Sequence, residues 1–295
     1  MIANKQLEEQ IRAENEKVLT LLCNYLNAFP DCVKKEDVEE LVRGGVSHEY
    51  AFAVLLAAEL GLDMDAHPED RKLFNYYFRY MFHKLDENKY RSNPYYRNIR
   101  IPAARVGTCE LKHETFLPYE GFVCHDMTMT REGRVRPHIG FFATEFSFPA
   151  LLEDGRVWMT ITPNEIETMQ GAVDRAFGHV LTFGLGLGYF AYMASEKENV
   201  DKVTVVEINE DVIALFQKYI LPQFPNAGKI DIVRGDAFAF AERELARGRF
   251  DFLFADLWRD VSDGLPMYLQ LKKYESLSPD TVFMYWIEKT LKCYL

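Results

Sequence analysis

The chain has 295 residues, enough for one large core or for two domains. Its net charge of −11 argues against a general affinity for phosphate backbones. It shows no charged-then-apolar leader, no apolar run of the roughly eighteen residues a membrane span needs, and five cysteines in no regular framework, so the expectation is a cytoplasmic protein with reduced thiols and no membrane association.

The first third reads as helical. Leu7, Ile11, Val18, Leu22 and Tyr25 recur at helix spacing, and Phe29-Pro30-Asp31 stops the run. A second helix is predicted from Lys35 to Val42, ended by Gly44-Gly45. Ser47 can cap a third, which runs to Gly61. Pro68 suits the first turn of a fourth, carrying Leu73, Tyr76, Tyr77, Tyr80, Met81 and Leu85. This region, residues 1–98, is predicted to be a cap, a dimer surface or a recognition module. Residues 89–105 interleave Lys89, Arg91, Arg97, Arg100 and Arg105 with Tyr90, Tyr95 and Tyr96; such a stretch can stack on bases, but an ordered connector with packed tyrosines is the simpler reading.

A β-rich connecting segment is predicted over residues 99–161. Gly140–Phe148 reads as a strand. Glu153-Asp154-Gly155 reads as a turn into a second strand, Arg156–Ile161, the two closing a hairpin. Cys109, His113, Cys124 and His125 are zinc-binding residue types, but their spacing fits no finger or ribbon and no metal is expected. Then Thr162-Pro163-Asn164-Glu165 forms a capping box, opening a helix to about Phe177.

From residue 162 to 295 the pattern is α/β: strands at about 179–184, 203–208, 230–234, 250–256 and 281–287 alternate with helices, predicting a Rossmann-like, doubly wound, mainly parallel sheet. The first strand runs into Gly184, Gly186 and Gly188. Glycine is needed where φ is positive or where a ligand lies against bare backbone. The second ends in Glu207 and Ile208, the third in Asp236 and Ala237 after Gly235, the fourth in Asp256. These tips fall at the carboxyl edge of the sheet, where open α/β sheets bind ligands. The turn is G-x-G-x-G with Tyr189 following, not the G-x-G-x-x-G of dinucleotide sites, and no Lys or Arg stands near it for a pyrophosphate.

On Phe183-Gly-Leu-Gly-Leu-Gly188, Val205-Val-Glu-Ile-Asn209, Gly235-Asp-Ala-Phe238 and Phe250-Asp-Phe-Leu-Phe-Ala-Asp256, the chain resembles the class I S-adenosylmethionine-dependent methyltransferases and their spermidine-synthase-like branch, over about residues 162–288. The resemblance implies S-adenosyl-L-methionine as cofactor. Gly184, Gly186 and Gly188 would meet its methionyl part and ribose, Glu207 with Ile208 the ribose, Asp236 with Ala237 the adenine edge, and Asp256 the reacting centre. One departure is plain: the two further C-terminal strands of the usual methyltransferase sheet are missing, so either the sheet is shorter or strands from residues 99–161 fill that edge.

The resemblance also implies a transferase acting on a small-molecule acceptor. Asp256 and Asp260 are the candidate catalytic acids, able to bind an amine or take its proton, and Trp258 and Tyr268 the candidate acceptor-binding residues. Aminopropyl transfer from decarboxylated adenosylmethionine is the main alternative. Polyamine synthases, however, carry an aspartate in the glycine turn where Leu185 and Leu187 stand, and a D-x-x-D where Asp256 and Asp260 are one residue further apart. A third reading is a non-catalytic cofactor-binding interaction protein. The helical or hairpin region is the candidate surface for a homodimer.

Overall fold

The computed structural model describes residues 2–295. Contacts divide it into two compact units. Among the described residues, one gathers 2–88, 115–147 and 293–295; the other 89–114 and 148–292. Both are assembled from separated stretches of the chain.

In the first unit the helices Ile2–Ala28, Lys35–Arg43 and His48–Glu59 form where predicted. Ser47 caps the third by accepting the Tyr50 N–H. Ile11, Val18, Leu22 and Tyr25 are buried as the spacing requires, whereas Leu7 is exposed. The fourth helix departs from expectation. Pro68–Leu73 is α-helical, Phe74–Phe78 is a π-helical stretch, and after Arg79–Met81 the chain becomes a strand, Phe82–Lys84. That strand pairs in parallel with Val135–Phe141, which pairs antiparallel with Phe122–Met129. Edge pairing thus overrides a helix-compatible pattern. Phe52 and Phe141 stack at 4.3 Å in the core of this unit.

The expected strand Gly140–Phe148 is in fact two pieces: the end of Val135–Phe141 and the start of Phe146–Glu153. The predicted hairpin is present. Phe146–Glu153 pairs antiparallel with Arg156–Thr160 through Asp154 and Gly155, both at positive φ. These strands form half of a four-stranded sheet in which Arg156–Thr160 is an edge.

The second unit is built on a five-stranded, all-parallel sheet: β1 (Gly178–Phe183), β2 (Val200–Glu207), β3 (Ile230–Arg234), β4 (Phe252–Ala255) and β5 (Val282–Tyr285), in the order β3-β2-β1-β4-β5. Strand order reverses between β1 and β4, the switch point where a crevice opens in such sheets. The central strands are apolar on both faces because helices cover both. These helices include α1 (Pro163–Arg175), α2 (Tyr189–Ser195), α3 (Glu210–Leu215), α4 (Ala237–Glu244) and α5 (Val261–Leu271). β5 is an edge strand, so the sheet is shorter than the methyltransferase pattern; no strand from residues 99–161 joins it. The basic, tyrosine-rich segment is an ordered connector: Tyr95 is buried and donates to the Leu187 carbonyl at 2.5 Å, and Tyr96 donates to the Ile161 carbonyl.

Candidate functional site

A cavity of about 410 Å³ opens at the carboxyl edge of the sheet, within the roughly 300–1,000 Å³ typical of small-molecule sites. The strand tips supply its floor: Gly184, Leu185 and Gly186 after β1, Glu207 and Ile208 at the end of β2, Asp236 and Ala237 after β3, and Asp256 after β4.

The glycine turn is held from two sides. Gly184, Gly186 and Gly188 all have positive φ. A Cβ on Gly184 would lie 2.0 Å from the Asp256 carbonyl oxygen, and one on Gly186 1.9 Å from the Met159 sulfur. Gly188 does not line the cavity; it precedes α2, and a Cβ there would meet the Phe216 ring at 2.2 Å. The protein's own packing therefore already requires all three glycines, and only the first two also face the cavity.

Glu207 ties this turn to β2. One carboxylate oxygen accepts the Leu185 N–H at 3.0 Å and the other the Asn209 N–H at 2.8 Å. A carboxylate has about four acceptor sites, so two backbone bonds leave capacity for a vicinal diol. Asp236 caps α4 through the Ala239 N–H at 2.8 Å while lining the cavity.

Asp256 does not cap the following helix. Its carboxyl is pushed up to about 8, first by desolvation and second by the negative charge of Glu165. Glu165 also lines the cavity. It stands at the third position of α1 in the predicted capping box, accepting the Thr162 N–H at 3.0 Å and the Thr160 hydroxyl at 3.2 Å. Burial raises its proton affinity too.

Two predicted residues fall elsewhere. Asp260 is exposed, outside the cavity lining, and caps α5: it accepts the Ser262 N–H at 2.7 Å, while Asp263 accepts the Asp260 N–H at 3.1 Å. Tyr268 is buried against Tyr285, donates to Glu288 at 2.8 Å and does not line the cavity either. Trp258 is buried and does line it.

Sequence reasoning missed contributors from outside the strand tips. Trp158 and Met159 come from the hairpin, Glu165 from α1, and Trp286 follows β5, its indole N–H donating to Thr168 at 2.9 Å. Only Glu165 carried a signal beforehand, as the acid of the capping box. Met159 accepts the Leu187 N–H at 3.1 Å. Beyond Glu207 lies a side chamber of about 110 Å³, floored by Cys109 and Asn209; it shares Trp158, Glu207 and Ile208 with the main cavity.

The lining carries four carboxyl groups, Glu165, Glu207, Asp236 and Asp256, against the single guanidinium of Arg259. Such a site favours a cationic ligand with hydroxyl groups. Comparison of the chain with known protein-family profiles and with characterised proteins gives no match.

Proposed function

We propose that this protein is an S-adenosylmethionine-dependent methyltransferase acting on a small-molecule acceptor. The observation that carries the reading is convergence. The glycine turn at Gly184 and Gly186, Glu207, Asp236 and Asp256 come from four successive strands and line one cavity of fitting size. The residues suit the cofactor chemically. Glu207 has acceptor capacity for both ribose hydroxyls, Asp236 can accept from an adenine amino group, and the acidic lining balances a sulfonium charge. Bound there, adenosylmethionine supplies an electrophilic methyl carbon.

The chain's own part is alignment, exclusion of water and proton handling. Asp256, with its proton affinity near neutrality, is suited to take a proton from an acceptor that must lose one. Trp258, Trp286 and Met169 give that end of the cavity apolar walls.

One observation favours the second reading, aminopropyl transfer to an amine. Glu165 joins Asp256 in the cavity, and two neighbouring acids suit a cationic acceptor. Calorimetry with adenosylmethionine, its decarboxylated form and a dinucleotide separates the cases. Methyl transfer requires the first to bind best, followed by turnover with an acceptor panel. Preference for the decarboxylated form reverses the order, binding without any turnover supports an interaction protein, and preference for the dinucleotide removes both transferase readings.

A further inference from the structure

Trp158 lies on the edge strand of the hairpin, and the residue is 40% exposed. Two other large apolar residues of the cavity lining are just as open: Val157 at 48% and Ile208 at 64%. Apolar groups this exposed around a concave site mark a surface that something covers. Their position says what kind of group. Trp158 and Ile208 are the residues that, with Glu207, border both the main cavity and the side chamber. A sugar held through its hydroxyls by Glu207 would therefore lie in a space that the exposed indole also borders.

The indole already has a cation over its ring. The Arg259 guanidinium sits 5.2 Å from the ring centroid, itself exposed and within 3.7 Å of Asp263. Planar cations and planar heterocycles compete for the same aromatic face. A purine offers two flat faces to apolar walls and keeps its polar edge for Asp236.

We infer that Trp158 is the base-stacking platform of this site: the purine of a bound adenosine compound lies on the indole, takes the face that Arg259 covers, and has Ile208 beside it. This rests on the adenosine reading of the cavity and adds the hairpin to ligand recognition. Nothing in the strand-tip motifs of the sheet requires it.

The test is calorimetric titration of the full chain and its Trp158→Ala and Trp158→Phe variants with adenosine, 5′-methylthioadenosine and adenosylmethionine. The stack is common to all three ligands. Trp158→Ala should weaken each by the same factor, about tenfold or more, and Trp158→Phe should recover most of the loss. Thermal unfolding should move little, because the residue is half exposed. Unchanged affinity for all three in Trp158→Ala overturns the inference. So does a loss confined to adenosylmethionine, which would put the indole at the amino-acid end. If the unaltered protein binds none of the three, the adenosine reading itself fails, an outcome distinct from either.

Discussion

Glu207 and Asp256 are both acids at strand tips, yet their surroundings give them different work. Glu207 holds two backbone N–H groups beside the glycine turn. Replacing it with alanine removes charge-assisted bonds to the sugar. That change should weaken adenosylmethionine binding by about 1.5–3 kcal/mol, roughly ten- to a hundred-fold; full affinity in a folded Glu207→Ala protein would remove Glu207 from the site. Asp256 is the titrating group. For an acceptor that loses a proton, kcat/KM should climb with pH through a midpoint near 8, the value that desolvation and Glu165 set in the free protein. Asp256→Asn should flatten that limb and lower the rate by about 10²–10⁴-fold. The glycines differ as well. A Cβ at Gly184 meets a backbone carbonyl that cannot move, while one at Gly186 meets the end of the flexible Met159 side chain. Gly184→Ala should cost on the order of 1–3 kcal/mol or more in urea denaturation. The Gly186→Ala loss should be smaller and partly recovered by adding Met159→Ala, a coupling that a double-mutant cycle reads directly.

At the scale of elements, α1 does two jobs with one residue. Glu165 closes the capping box that starts the helix and places a second carboxyl in the cavity. Glutamine serves the same box position without the charge. Glu165→Gln should therefore leave helix stability nearly unchanged and move the midpoint of the Asp256 limb to lower pH; an unmoved midpoint would leave desolvation as the whole cause. That dual use also explains what the sequence shows and hides. The four strand tips were legible because each combines an apolar run with the glycine or acid that directly follows it. The capping box and the Asp154-Gly155 turn were legible for the same reason: their partners lie within a few residues. Trp158, Met159 and Trp286 reach the cavity only through tertiary closure, and no local pattern records that. Asp260 resembled a catalytic acid by its nearness to Asp256 in sequence, but at a helix start an aspartate is held by the exposed N–H groups, here that of Ser262. Phe82–Lys84 continued a helical spacing, and only its pairing with Val135–Phe141, more than fifty residues away, makes it a strand.

Across the whole molecule, the titrations of two partly buried groups should shape stability in opposite senses. In the first unit the His83 and His138 rings are hydrogen-bonded at 2.8 Å and lie on neighbouring strands, with His125 and Arg136 nearby and Thr128 within 3.1 Å of His138. Burial comes first and these neighbouring charges second in lowering His138 to about 4 from an ordinary 6.5. As pH falls below about 6.5 the unfolded chain takes up this proton and the folded chain does not, so stability drops progressively toward pH 4. Asp256 runs the other way. Its folded value of about 8 lies above the ordinary 3.8, so between those limits the folded state holds the extra proton, and the contribution present at low pH is lost as pH rises toward 8. The slopes partly cancel between 4 and 6.5; from 6.5 to 8 only the Asp256 loss remains of the two. Urea denaturation across pH 4–9 should show Asp256→Asn gaining on the unaltered protein as pH rises and losing that advantage near pH 4, while His138→Gln should flatten the acid limb. A cationic ligand that pairs with Asp256 favours its charged form, so bound adenosylmethionine should reduce the alkaline loss in the unaltered protein and leave Asp256→Asn without that pH-dependent gain. Equal ligand stabilisation of both proteins at every pH would place the positive charge away from Asp256, and with it the reacting centre.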